Sequence, residues 1–217
     1  MKRSLKEWCL RVAVLLAGLC TAHFGVTLFL LSDLGSDPFN VLIQGLFRTL
    51  SRLSGAAWLS HGRVHIAVSL LILAALLFVD RSYIKIGTAL CMALGGPIID
   101  FFSALLAPLA AAALAVRICL LVAGCVILAF GMTMVIRSDA GTGPNDLVAL
   151  VISEKRAWRF SIVRVAVDAL FVLLGFLLGG TAGVGTLVCM SLVGPVAGFF
   201  LPINGRWIDS LVRRVRG

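Results

Sequence analysis

Apolar residues run along this chain in long blocks, and most polar residues sit between them. Six blocks approach or exceed the roughly 20 residues that a helix needs to cross a bilayer. They are Val12 to Leu31, Val64 to Val79, Ile86 to Leu106, Ile118 to Ile136, Ile162 to Leu178 and Gly183 to Leu201. The turn Asp80 to Lys85 separates the second and third, and a short Ala-rich connection the third and fourth. Two shorter helices interrupt the series. Asp37 before Pro38 reads as a helix start, with the carboxylate as N-cap and proline at the first helical position. The helix it opens, Phe39 to about Leu53, has an apolar stripe at Val41, Leu42, Leu46, Leu50 and Leu53, with Arg48 and Arg52 off it. It is too short to cross and is expected to lie in the interface or to re-enter partway. Its equivalent ends near Ile152, before the basic loop Glu154 to Arg159. Inside the third and sixth blocks, Gly95-Gly96-Pro97 and Gly194-Pro195 predict kinked or broken helices.

The pattern occurs twice. Phe24 to Asn40 aligns with Phe130 to Asp146 at a shift of 106, with seven of 17 positions identical: Phe24/Phe130, Gly25/Gly131, Thr27/Thr133, Ser32/Ser138, Asp33/Asp139, Gly35/Gly141 and Pro38/Pro144. Gly87 to Phe102 aligns with Gly185 to Phe200 at a shift of 98, with nine of 16 identical. A weaker match at a shift of 99 sets His65 opposite Arg164 and Ser69 opposite Asp168. Unrelated segments would agree at about one position in such a length. The chain therefore reads as two copies of one three-span unit, residues 1–110 and 111–217. The first copy is longer in the polar stretch Arg48 to Arg63.

Composition narrows the class. Of 217 residues, 60% are hydrophobic and 13% charged, with a mean hydropathy of +1.08; a soluble domain is about a quarter charged. An integral protein of the lipid bilayer is expected. The net charge of +9 does not point to nucleic acid, because the charges lie in short flanks and loops without a basic aromatic face. They read instead as topology determinants. Six spans put both termini on one face. That face carries 15 of the Lys and Arg residues, and the other carries four: Arg48, Arg52, Arg63 and Arg117. The positive-inside rule makes the terminal face cytoplasmic. The charged N-terminal flank precedes a long apolar run without a cleavage site, so the first span is read as retained. Three spans per copy is an odd number, so the second copy should be inserted upside down relative to the first. The six cysteines read as reduced, buried, small hydrophobic residues.

Inverted repeats with broken helices are a common build for secondary transporters. Where glycine and proline interrupt a helix, freed backbone groups survive in a bilayer only inside protein or beside a wet cavity. The candidate gates or half-sites are Ser32, Asp33, Gly35, Asp37, Pro38 and Asn40 in the first copy. In the second they are Ser138, Asp139, Gly141, Pro144, Asn145 and Asp146. Gly96, Pro97, Gly194 and Pro195 are the candidate helix breaks. Asp100 and the pair Arg164/Asp168 are candidates for ion or proton handling, since carboxylates deep in a membrane are costly unless paired, protonated or wet. His23 lies inside the first span opposite Ala129 of the second copy and reads as a neutral histidine bonded to a neighbouring helix. A plainer alternative stays open throughout. The Ser-Asp-x-Gly turns could simply cap helices, the Gly-Pro pairs could serve close packing, and Arg164/Asp168 could be structural. No HExxH, GxSxG, Walker A or Cys/His metal spacing occurs, and the two motif aspartates are expected at opposite faces. No enzyme activity, metal or cofactor is expected.

Ser32-Asp-Leu-Gly-Ser-Asp-Pro-Phe39, Ser138 to Asp146, Arg164 and Leu178 to Thr186 running on to Gly194-Pro195 resemble the bacterial YczE family of multi-pass membrane proteins, and more distantly the wider YczE/YyaS/YitT grouping. The resemblance covers nearly the whole chain. It implies the fold and a bacterial inner-membrane location, but no established activity. The expectation is an all-α, six-span protein that moves a small solute. The rival is a membrane accessory or assembly factor that moves nothing. Substrate, protein partners and oligomeric state are left open.

Overall fold

The computed structural model describes residues 4–55, 58–108 and 113–216. Lys2, Arg3 and residues 109–112 of the Ala-rich connection lie outside them. The described residues form eight α-helices: α1 (Leu5–Ser32), α2 (Pro38–Ser54), α3 (His61–Asp80), α4 (Ile86–Leu105), α5 (Leu114–Ser138), α6 (Pro144–Arg156), α7 (Phe160–Leu177) and α8 (Val184–Arg216). All but the short α2 and α6 are long and apolar enough to cross a membrane.

The centre is the crossing of α1 and α5. Gly18 lies on Gly131 and Gly25 on Gly124, so the two helices run in opposite directions. A Cβ on Gly25 would come 2.7 Å from the Gly124 carbonyl oxygen, and one on Gly124 would come 2.7 Å from that of Gly25. Glycine is required here by backbone-to-backbone approach, the small-residue packing of membrane helices. Around this pair, α4 leans on α1 and α8 on α5. The same edge-to-face ring pair ties each, Phe24 to Phe102 and Phe130 to Phe200, both at 5.1 Å. α7 packs on α8 and α2, whereas α3 rests on α2 and α6. α3 turns Leu71 and Phe78 outward, where a bilayer would meet them.

The short helices start inside the bundle and end outside it. Pro38, Phe39, Val41 and Ile43 of α2 are buried and its last turn is exposed; Pro144, Leu147 and Ala149 of α6 repeat the gradient. Both therefore begin packed among the other helices and end at the protein surface.

Three expectations are corrected. Neither Gly96-Pro97 nor Gly194-Pro195 breaks its helix: α4 runs through Pro97, and α8 runs through Pro195 and Pro202 to Arg216. Proline forfeits one backbone bond, a loss a helix in lipid tolerates when neighbours re-satisfy the freed groups. The glycines pack instead, Gly95 against His23 and Gly194 against Val165 and the Ser161 carbonyl, while Gly96 meets nothing. The last helix also continues well past Leu201. Its extension packs Ile208 and Val212 on Val14 of α1. Finally, Cys9, Cys20 and Cys119 are exposed, with only Cys91, Cys125 and Cys189 buried.

Candidate functional site

The two Ser-Asp-x-Gly turns close α1 and α5 in the same way. The Ser32 hydroxyl donates to the Phe29 carbonyl and that of Ser138 to Val135, both at 2.6 Å. Asp33 and Asp139 then turn the chain with positive φ of 48° and 55°. Gly35 and Gly141 follow at φ 154° and 135°, the region that favours glycine.

Each turn docks on the opposite copy. The Gly185 amide donates to the Leu34 carbonyl at 2.8 Å, and the Gly87 amide donates to the Ala140 carbonyl at 2.9 Å; these donors and acceptors are counterparts at shifts of 98 and 106. An arginine repeats the exchange. Arg117 donates through Nε to the Ser32 carbonyl at 2.6 Å and through Nη2 to the Asp33 carbonyl at 2.7 Å and carboxylate at 3.1 Å. Arg11 donates through Nη1 to the Ser138 carbonyl at 2.9 Å and lies 3.7 Å from the Asp139 carboxylate. Its Nε holds Glu7 at 2.9 Å. The sequence reading missed this pair. Extending the shift of 106 upstream of Phe24 would have matched Arg11 to Arg117, Leu15 to Leu121, Ala17 to Ala123 and Gly18 to Gly124. Asn204 was also missed. Fully buried, it joins Thr133 at 2.7 Å and accepts from the Trp207 ring nitrogen at 2.9 Å; nothing in the repeat marks it.

A cluster of buried charge lies between the turns. Arg164 of α7 donates through Nε to Asp168 at 2.9 Å and through Nη1 to Asp146 of α6. Asp168 is 1% exposed, and its second oxygen has no hydrogen-bond partner. On α2 the counterpart of Asp146 is Asn40, whose backbone amide donates to Asp37 at 3.1 Å. The structure therefore brings together Asp146, Arg164 and Asp168, while Asp37 and Asn40 bond each other at the start of α2. It does not bring Asp100 to them: that residue is exposed on α4. His23 bonds its own helix through Nδ1 and the Leu19 carbonyl, 2.8 Å, rather than a neighbour.

The two ends of the bundle differ. At the end away from the termini, α2 is sewn to the α7–α8 loop. Arg48 donates to the Gly179 carbonyl at 2.6 Å and Thr49 to that of Leu178 at 2.8 Å. The Gln44 side chain accepts from the amide and hydroxyl of Thr181 at 2.6 and 2.7 Å. Beneath them Gly175 lies against the Val41 backbone. At the terminal end the counterpart of Gly175 is Leu76, packed on Leu147 and Val151. The loop contacts there are exposed side chains, Tyr83 on Glu154 at 2.7 Å and Lys155 on Asp80 at 3.2 Å. This end holds a cavity of about 560 Å³ lined by Arg11, Tyr83, Lys85, Asp139, Thr142, Leu147 and Glu154, among others. Lys85 ion-pairs with Asp139; its counterpart position is Gly183, so the first turn has no such lysine.

Comparison with known proteins follows this geometry. The model of a family of unknown function, DUF6198, matches residues 9–202. The uncharacterized membrane protein YczE of Bacillus subtilis (strain 168) is 29% identical over 210 residues, covering 96% of this chain and 94% of that protein. The uncharacterized protein YyaS of the same organism is 29% identical over 199 residues, covering 91% and 95%. An uncharacterized protein of Haemophilus influenzae is 29% identical over 198 residues, covering 90% and 85%. No solved structure matches. With a family model spanning most of its length and relatives covered almost end to end, the chain belongs to the DUF6198 family and is a YczE-type membrane protein.

Proposed function

We propose that the chain is two three-span repeats, residues 1–110 and 111–217, inserted in opposite senses in a bacterial inner membrane with both termini cytoplasmic. We propose further that it carries a small solute by alternating access between them. The observation that carries this reading is that equivalent contacts are made in two ways at the two ends of one molecule. One end is closed by Gly175 on the backbone of α2 and by bonds to loop carbonyls. The other is held apart by Leu76 and bridged by exposed side chains above a cavity. A transporter whose halves exchange roles needs these two arrangements in one chain. The antiparallel α1/α5 crossing and the reciprocal contacts of Arg11 and Arg117 support a two-fold axis between the copies. The buried Asp146–Arg164–Asp168 cluster lies where such proteins place their sites, between the re-entrant helix starts.

The test is metabolite profiling of a deletion strain, then flux of the accumulating or depleted solutes in proteoliposomes. Asp139→Asn, which weakens the link to Lys85 and Arg11 at the open end, should change flux at unchanged protein level. Absence of flux for every such solute, with mutants failing through loss of a protein partner, would favour an accessory factor.

A further inference from the structure

The two re-entrant helix starts are equivalent in sequence but not in chemistry. α2 begins with its own carboxylate: Asp37 caps it, accepting from the Asn40 amide at 3.1 Å. Beside it the Thr186 hydroxyl donates to the Ser36 carbonyl at 2.6 Å. In the other copy the counterpart of Asp37 is Gly143, and α6 has no side-chain cap. The counterparts of Thr186 and Ser36 are Thr88 and Thr142, 1% and 2% exposed, and neither hydroxyl has a hydrogen-bond partner. Thr142 lines the cavity, with Arg11 and Lys85 in the same wall. The first half-site is thus satisfied from within the chain. The second has no side-chain cap on its helix-terminal amides, the positive end of the helix dipole, and a buried, unpartnered hydroxyl on a residue of the cavity wall.

We infer that the N-terminus of α6 receives a carboxylate group of a small solute, which there does what Asp37 does for α2. A helix N-terminus is a ready anion site, and the protein's own first copy shows that the group fitting this turn is a carboxylate. Asp146 in the first turn of α6 makes no capping bond to these amides: its Oδ1 is engaged by Arg164, and its Oδ2 lies 4.0 Å from where a Gly143 Cβ would stand. The cavity wall sets Arg11, Lys85 and Arg137 beside Asp139, Glu154 and Asp209, and the Asp139 carboxylate is held by Lys85 and Arg11. A cavity of about 560 Å³ lies within the usual range for small-molecule sites. The inference deepens the transporter reading and rests on it only for the solute being moved.

The experiment measures thermal unfolding of the full-length protein in nanodiscs with added succinate. Its neutral isostere succinamide and sulfate at equal ionic strength serve as controls. Succinate should raise the unfolding temperature in a dose-dependent way; succinamide and sulfate should not. Gly143→Asp supplies the missing carboxylate internally. The backbone there, φ −62° and ψ 152°, suits any residue; a Cβ would meet the Asn145 Oδ1 at 3.2 Å, which that side chain can ease by turning, and the Asp146 Oδ2 at 4.0 Å. This variant should unfold no earlier than wild type and lose its response to succinate. Thr142→Val should keep the fold and bind succinate about threefold to tenfold more weakly, the loss expected for one hydrogen bond. A wild type unmoved by succinate, a Gly143→Asp variant that responds like wild type, or equal protection by sulfate would each overturn the inference. Stabilisation by succinate without succinate flux would sink transport and leave the site standing. Flux of carboxylate-free solutes without stabilisation would do the reverse.

Discussion

Gly175→Ala separates a two-state carrier from a static scaffold. A Cβ at this position would fall 2.5 Å from the carbon and oxygen of the Val41 carbonyl and 2.6 Å from the Leu42 nitrogen. All three are backbone atoms, so no side-chain rotation relieves the clash and α2 must move away from α7. Overpacking of this kind costs about 1–3 kcal/mol. The cost belongs to the arrangement in which this end is closed, since Leu76, the counterpart of Gly175, accommodates a large side chain at the open end. If the ends exchange roles, about 1–3 kcal/mol shifts the ratio of the two states by roughly 5-fold to 150-fold toward the one with the glycine end open. The assay is thiol labelling in nanodiscs, on a cysteine-free background, of single cysteines at Val41 and Leu150. Val41 is fully buried at the closed end; Leu150 is half-buried and lines the cavity at the open end. With Gly175→Ala, labelling at Val41→Cys should rise and labelling at Leu150→Cys should fall. If both rise together, the substitution has only loosened the bundle. If Leu150→Cys is unchanged while the protein is destabilised, the ends are not coupled. Either result refutes the exchange.

Two further outcomes test the rest of the argument. Arg164→Met leaves Asp146 and Asp168 facing each other without their shared cation and should destabilise by about 3–5 kcal/mol, read from chemical unfolding in detergent; Arg164→Met with Asp168→Leu should recover part of that loss. Single cysteines replacing Arg52 and Arg156, exposed in the last turns of α2 and α6, should react with a membrane-impermeant thiol reagent from opposite sides of intact cells and inverted vesicles; reaction from one side for both removes the inverted arrangement.

Hydrophobic blocks were legible because in lipid a spanning helix must satisfy its backbone internally and present apolar side chains. All six spans were found, with Asp37-Pro38 and Pro144 at the starts of the short helices. Of the readings open for the Gly-Pro pairs, the broken helix fails and close packing holds, because local propensity counts the lost hydrogen bond and not the close contact that glycine permits; Gly95 gives room to His23 and Gly194 to α7. Asp100 looked suggestive because its helix offered it no partner, but orientation around a helix axis is set by packing, and packing turns it outward. Arg11 and Arg117 were hidden for another reason. Each contacts a turn about 85 to 127 residues away, and their match becomes visible only when the repeat is extended through helix positions that are otherwise alike only in being apolar.

The differences between the copies carry more functional information than their likeness. Likeness is kept where the two units must fit each other: the glycines of the α1/α5 crossing, the paired arginines and the serines closing each turn. Where they differ, each difference changes what one end of the molecule can do. Gly175 permits a backbone seal that Leu76 forbids. Asp37 fills a helix terminus that Gly143 leaves free. Lys85 places a cation beside Asp139 where Gly183 places none beside Asp33. On the proposed transport reading these differences belong together: the end that Gly175 seals is the end whose helix terminus is capped from within, and the end that holds a cavity is the one whose helix terminus carries no side-chain cap.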